Sequence, residues 1–244
     1  MIDGWVDAHC HILPQIDDGA ADINESLEMA RIAAKDGIQA IIATPHLTET
    51  DCSPDEIKKR VGILNQALSN REIPVTVYPA AEVSIALDPS VFDQYTINDS
   101  RYVLIELPCE HLPPFTEKLM SWLSSEGLKP IIAHPERNHG IMREPQSFIK
   151  RLNSNIYIQI TAGSLIGDFG VDAQLCAEIL MDAGRVDIIA SDGHSMKDRP
   201  PILSEAVEMV AKRVGRETAL KMVQDNPAAV LRDEVLDVRG KRRG

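Results

Sequence analysis

Aromatic side chains are scarce in this chain: Phe, Trp and Tyr together make up 4% of its 244 residues. With hydrophobic residues at 44%, a sizeable core must be built from Ile, Val, Leu, Ala and Met, which suits parallel strands buried on both faces. Positive charge is also short. Lys and Arg number 25 against 37 Asp and Glu, a formal net charge of −12. That balance argues against a nucleic-acid partner, because a phosphate backbone calls for a basic footprint. The basic run Arg239-Gly240-Lys241-Arg242-Arg243 is the exception and reads as a solvated terminus. No apolar run approaches the ~20 residues of a membrane span, and the first residues carry no secretory pattern, so direct membrane insertion is not expected. Cys10, Cys52, Cys109 and Cys176 form no C-x-x-C pair and no dense framework, as in a reducing cytoplasm.

Two missing signatures narrow the chemistry. A cysteine-based phosphatase needs C-x5-R, and the residues six beyond the four cysteines are Ile16, Lys58, Phe115 and Asp182. There is likewise no G-x-x-x-x-G-K-[ST] loop for a nucleotide.

What is present is an alternation of strand-length and helix-length segments. Apolar runs at 5–9, 40–43, 75–78, 103–107, 130–134, 156–160 and 186–190 read as seven strands. Between them, helices are expected at 23–35, from 54 to about 69, at 115–126, 146–153 and 171–183, and after them at 202–214 and 217–224. Asp22 or Asn24 can cap the first helix. Ser53-Pro54-Asp55-Glu56 is a cap, a first-turn proline and acids at the positive dipole end. Gly37, Gly127 and Gly184 stop three helices, and Asn226-Pro227 is expected to break the last. Residues 87–100 show no clean period and read as a loop or short helical turns. The pattern predicts one α/β domain over residues 1–244, with the basic tail 239–244 at its end. A closed or nearly closed barrel is preferred to an open sheet.

A barrel gathers the carboxyl ends of its strands around one opening. His9 and His11, two apart at the end of the first strand, fall on one face. His46, Glu82, Glu106, His134, Asp192 and His194 also leave strand ends. The opposite ends carry Gly4, Gln39, Pro74, Arg101 and Lys129, which share no chemistry. His111 and His139 lie in loops and are left as surface or supporting residues. So many imidazoles and carboxylates exceed the needs of one ion, and would repel one another without metal. Two or three divalent ions with a bridging carboxylate are expected. Manganese is favoured for this mixed N/O set, with iron or zinc as options. Such ions would reverse the local negative sign and admit a phosphorylated ligand, which Arg137 and Arg199, in loops on the same rim, can grip in a planar fork.

His9-Cys10-His11 with Asp17-Asp18-Gly19, Thr44-Pro45-His46, His134-Pro135-Glu136-Arg137, Thr161-Ala162-Gly163-Ser164 with Phe169-Gly170, and Ser191-Asp192-Gly193-His194 together resemble the polymerase and histidinol phosphatase (PHP) superfamily. Within it they are most similar to the bacterial metal-dependent protein-tyrosine phosphatases encoded with capsule and exopolysaccharide genes. The similarity runs from residue 3 to about 231. It implies a distorted seven-stranded (β/α) barrel and a trinuclear centre. One ion would take His9, His11, Glu82 and Asp192; a second Glu82, Glu106 and His134; a third Asp18, His46 and His194. Arg137 and Arg199 match the family's phosphate pocket.

The resemblance further implies direct hydrolysis of phosphotyrosine, with no phosphoenzyme, on the tail of a cognate membrane-associated tyrosine kinase that controls polysaccharide export. His46 or His194 would stand beside the leaving tyrosinate. Two other readings are kept. One is a small-molecule phosphoesterase acting on histidinol phosphate or a sugar phosphate at the same site. The other is a non-catalytic metal-bound module that binds the kinase tail. A chain without obvious insertions leaves an open mouth, which suits a flexible peptide. Oligomeric state is left open, with Glu25, Glu28 and Arg31 on one side of the first helix as a polar face.

Overall fold

The computed structural model describes residues 4–47 and 52–236; the basic stretch 239–244 lies outside the described residues. Among them are nine strands: β1 (Trp5–Cys10), β2 (Ile38–Ala43), β3 (His46–Leu47), β4 (Thr76–Pro79), β5 (Glu82–Ser84), β6 (Tyr102–Glu106), β7 (Lys129–Ala133), β8 (Tyr157–Thr161) and β9 (Ile188–Ala190). The helices are α1 (Ile23–Asp36), α2 (Pro54–Asn70), α3 (Thr116–Ser125), α4 (His139–Arg143), α5 (Pro145–Arg151), α6 (Ala162–Ile166), α7 (Val171–Asp182), α8 (Ser204–Val214), α9 (Arg216–Leu220) and α10 (Asn226–Leu231). Of the expected caps, Asp22 accepts from Asn24 and Glu25 N–H, and Ser53 from Glu56 N–H. Gly37 ends α1 at φ 98°, where a side chain would be strained. Residues 87–100 hold two short 3₁₀ turns.

Every strand pairing is parallel. One sheet runs β1-β2-β4 and the other β3-β5-β6-β7-β8-β9. A bridge between Cys10 and Gly193 joins the end of the second sheet back to β1. The two extra strands are broken continuations. β3 starts just past β2, across Thr44-Pro45, and β5 starts just past β4, across Ala80-Ala81. Pro45 has no N–H for a ladder, yet its carbonyl accepts from Glu82 N–H at 3.0 Å and so keeps the two staves together. The seven expected strands are therefore seven staves of a distorted barrel, two of them cut where the chain changes sheet. The cut has a consequence for the site: His46 and Glu82 open β3 and β5 and are register partners, so they sit side by side.

Period-two alternation sorts the core into layers. Val6, Ala8, Ala40, Ile42, Leu104, Ile131, Ala133, Tyr157, Ile188 and Ala190 pack together with Ala228–Leu231 of α10. The alternate residues Ile41, Val77, Val103, Ile105, Ile132, Ile158 and Ile189 pack with the surrounding helices. The first set fills the ring, and α10 covers the strands' amino ends, where Tyr102 Oη donates to Glu234 O at 2.7 Å. That leaves the carboxyl ends open. In β1 the register slips by one residue between Asp7 and Cys10 relative to β2. Such a bulge re-aims side chains: Val6 and Ala8 join the interior cluster, while Cys10 joins the outer one.

The expected break at Asn226-Pro227 does not occur. The chain stays helical from Arg216 to Leu231 through a π turn, Lys221–Asp225, closed by Asn226 N–H to Lys221 O. The wider turn makes room for the proline ring just after it, which a regular α-helix would clash against. The short helix α4 was not expected either; Asn138 Oδ1 caps it. On α1, Glu25 is tied within the chain, accepting from Ala21 N–H and Met196 N–H, and Arg31 pairs with Glu28.

Candidate metal centre

His9 and His11 are fully buried at the carboxyl-end mouth. His9 Nδ1 donates to Gln159 Oε1 at 3.0 Å and His11 Nδ1 to Asp17 Oδ2 at 2.7 Å. With the Nδ1 positions committed as donors, each ring turns its Nε2 inward. These two atoms are 3.1 Å apart. Two inward nitrogens at that distance share one positive charge, a proton or a metal ion.

Carboxylates complete the arrangement. Glu82 Oε1 accepts from His134 Nε2 at 2.7 Å. Its other oxygen, Oε2, is buried and makes no hydrogen bond, yet lies 3.3 Å from His9 Nε2, 3.4 Å from His11 Nε2 and 3.0 Å from His46 Nδ1. Asp192 Oδ1 is a second buried orphan, 3.4 Å from both His9 and His11 Nε2. A buried unpaired carboxylate oxygen is costly, and two such oxygens aimed at two imidazole nitrogens form a donor set that fits a divalent ion. Asp18 Oδ1 stands 3.5 Å from both His46 Nε2 and His194 Nε2.

The ligand atoms fall into four overlapping groups: His11, Asp18, His46 and His194; His9, Glu82 and His134; His9, His11 and Asp192; and His46, Glu82 and Glu106, each within 4.8 Å. All nine residues anticipated from the sequence thus converge. Glu106 Oε2 is 3.6 Å from His46 Nδ1 and falls in the group with His46 and Glu82.

The electrostatics follow from burial and proximity. Burial opposes ionisation of Glu82 and Asp192, but nearby imidazoles prevail and hold both carboxyls well below the ordinary range. Glu106 is pushed up by burial and by the Glu82 charge. His194 falls to about 4 through burial and the neighbouring His11. His134 and Asp192 both hold the left-handed backbone conformation, at φ 28° and φ 53°. Such strain in non-glycine residues collects at functional sites.

On the rim, Arg137 Nη1 and Arg199 Nη2 both donate to Asp192 Oδ2. Arg199 Nε is buried without a partner. Sequence spacing missed several supporting residues. Asp17 also accepts His46 N–H at 3.0 Å and Gly19 N–H at 3.0 Å. Asp7 accepts from Ser191 N–H and Oγ–H, with burial raising its carboxyl to about 6. Glu136, fully buried, accepts from Thr161 N–H and Ser164 Oγ–H. Asp17 and Glu136 stand inside the motifs quoted above, but no periodicity marks them; Asp7 and Gln159 carry only the signal of a polar residue inside an apolar strand.

Fold and site together define a class: an α/β barrel whose carboxyl-end mouth gathers histidine and carboxylate clusters suited to two or three metal ions. The chain belongs to the family described as capsular polysaccharide synthesis, CpsB/CapC, which matches residues 5–232. It is 36% identical over 237 residues to the tyrosine-protein phosphatase YwqE of Bacillus subtilis, covering 95% of this chain and 93% of that one. It is 25% identical over 242 residues to the tyrosine-protein phosphatase CpsB of Streptococcus pneumoniae, covering 95% and 100%. A structure from the pair YwqE and CpsB, described as unique metal-dependent tyrosine phosphatases, superposes with a TM-score of 0.89 at 36% identity, covering 95% of this chain and 96% of that one.

Proposed function

We propose that this protein is a metal-dependent protein-tyrosine phosphatase that acts on the phosphorylated tail of a membrane-associated tyrosine kinase in polysaccharide synthesis. The observation that carries the reading is the pair of buried orphan oxygens, Glu82 Oε2 and Asp192 Oδ1, facing the His9 and His11 Nε2 atoms beneath two rim arginines. Similarity to the two named tyrosine phosphatases supplies the substrate class. Among the described residues no helix is long and apolar enough to cross a membrane. The proposed setting is the cytoplasm, where the enzyme would meet the kinase tail.

His9, His11, Asp18, His46, Glu82, Glu106, His134, Asp192 and His194 would hold the ions, with manganese favoured over iron or zinc. Bound there, the ions supply Lewis acidity toward phosphate oxygens and an acidified water. The chain's own part is positioning. Arg137 and Arg199 grip the phosphoryl oxygens in planar forks, and the unpartnered Arg199 Nε is one donor for them. Asp17 and Gln159 keep His11 and His9 oriented. His46 and His194 edge the mouth next to the departing phenolate. Tyrosinate is a tolerable leaving group, so no dedicated strong acid is required.

The test uses chelated protein reconstituted with manganese, iron or zinc in turn, and compares a phosphotyrosine peptide with histidinol phosphate and a sugar phosphate. The expected result is a peptide preference that disappears with chelator and in Arg137→Ala. Preference for either small ester would transfer the site to a small-molecule phosphoesterase. Absence of hydrolysis with every metal would leave a binding module.

A further inference from the structure

Phe169 stands under both rim arginines. The Arg137 guanidinium carbon lies 4.3 Å from the Phe169 ring centroid and that of Arg199 5.4 Å. Both guanidiniums also converge on a single oxygen of Asp192. The shared carboxylate holds the two guanidiniums together but leaves the direction of their other N–H groups unset. The face of an aromatic ring carries negative quadrupole density and attracts cations. A stacked guanidinium is also held in plane, so its N–H edge points in a set direction.

The loop that delivers the ring is built for the purpose. Gly167 and Gly170 hold φ of 95° and 88°, a conformation closed to ordinary side chains. Asp168 N–H donates to Gly163 O at 2.9 Å and Gly170 N–H to Gly167 O at 3.0 Å. A Cβ on Gly163 would lie 2.9 Å from Phe169 Cε2, so a glycine there clears the seat for the ring. Each arginine is anchored separately. Glu136, next to Arg137, grips Ser164 of α6, while Ser195 Oγ accepts Arg199 N–H at 3.1 Å. Three separate segments therefore meet at one ring.

We infer that Phe169 is a positioning residue, an aromatic platform that sets the spacing and direction of Arg137 and Arg199 for a phosphoryl group. The inference rests on the function proposed above, and its test separates the two. Phe169→Leu keeps an apolar side chain without a π face, and Phe169→Tyr keeps the ring. Inorganic phosphate affinity of the metal-loaded protein is read by calorimetry, beside metal content, thermal midpoint, and KM and kcat on a phosphotyrosine peptide.

Phe169→Leu is expected to weaken phosphate binding and raise KM by about tenfold each, with kcat changed less. Metal content and midpoint should stay at the wild-type values, and Phe169→Tyr should restore both affinities. Wild-type phosphate affinity in Phe169→Leu would overturn the inference. So would a parallel loss of metal, which would make the ring a packing element only. A wild type that binds phosphate but leaves phosphotyrosine intact would remove the proposed function, and the calorimetric arm would still decide the role of Phe169.

Discussion

His11 and Asp17 form the bond on which the centre's geometry turns: His11 Nδ1 donates to Asp17 Oδ2 at 2.7 Å, and the same oxygen accepts His46 N–H at 3.0 Å. One carboxylate outside the ligand set thereby orients one imidazole and fixes the backbone of a second. Gly19 makes this possible. A Cβ there would sit 2.1 Å from His11 O, so only glycine lets the loop fold back to give Asp17 its N–H.

Asp17→Ala is expected to free the His11 ring and weaken metal binding about 10- to 100-fold, the usual effect of removing such a supporting group. Competition with a chromophoric chelator measures it. Wild-type affinity in the variant would show that His11 is held by its neighbours instead.

Metal removal should destabilise the fold, because Glu82 Oε2 and Asp192 Oδ1 are then buried without a hydrogen-bond partner. At a metal concentration about 1,000 times Kd, the bound state gains about 4 kcal/mol, equivalent to roughly 10 °C in midpoint for a chain of this size. Calorimetric scans with and without chelator check this, and an unchanged midpoint would contradict the centre's fit to ions.

Arg137→Lys keeps a charge but loses the fork and the stack on Phe169. The loss of a charge-assisted hydrogen bond costs about 1.5–3 kcal/mol, so KM for a phosphotyrosine peptide should rise at least about tenfold. A lysine that substitutes without loss would reduce Arg137 to a point charge.

At the opposite end of the barrel, Asp233 accepts from Arg101 N–H at 3.0 Å and from its Nε at 2.9 Å. Slight burial raises the Asp233 carboxyl, but the Arg101 backbone and guanidinium outweigh it and hold it below its ordinary value. The group therefore stabilises the fold above the unfolded carboxyl pKa of about 3.9, and that stability is lost as pH falls through the lower folded value. Both partners are more than a third exposed, so solvent screening limits the gain to about 0.5–1 kcal/mol. Asp233→Asn, which tolerates the local φ of 54°, should lower the midpoint at pH 7 by roughly 2 °C. The difference should disappear in strong acid; a difference that persists there would assign the effect to packing.

Much of this was legible in order along the chain. A strand's period of two and a helix's 3.6 are local properties, so branched aliphatic runs marked all seven staves, and Asp22, Ser53 and Gly37 marked helix ends by their own backbone chemistry. The strand-end histidines and acids could be read because any barrel collects carboxyl ends at one mouth. Asp18 came from motif resemblance, since a loop residue has no period to betray it. The helix continuing past Asn226-Pro227 could not be read, because a π turn depends on how α10 packs over the barrel end.

Local pattern by itself picked out eight of the nine residues that meet at the mouth, all but Asp18. Only the tertiary structure decided how they pair. The cut staves at Thr44-Pro45 and Ala80-Ala81 set His46 beside Glu82, the slipped β1 register re-aims the end of the first strand, and ring closure through Cys10 and Gly193 carries Asp192 to His9. Such pairings join residues far apart in the chain, where distance is set by packing between staves and not by any spacing along one of them.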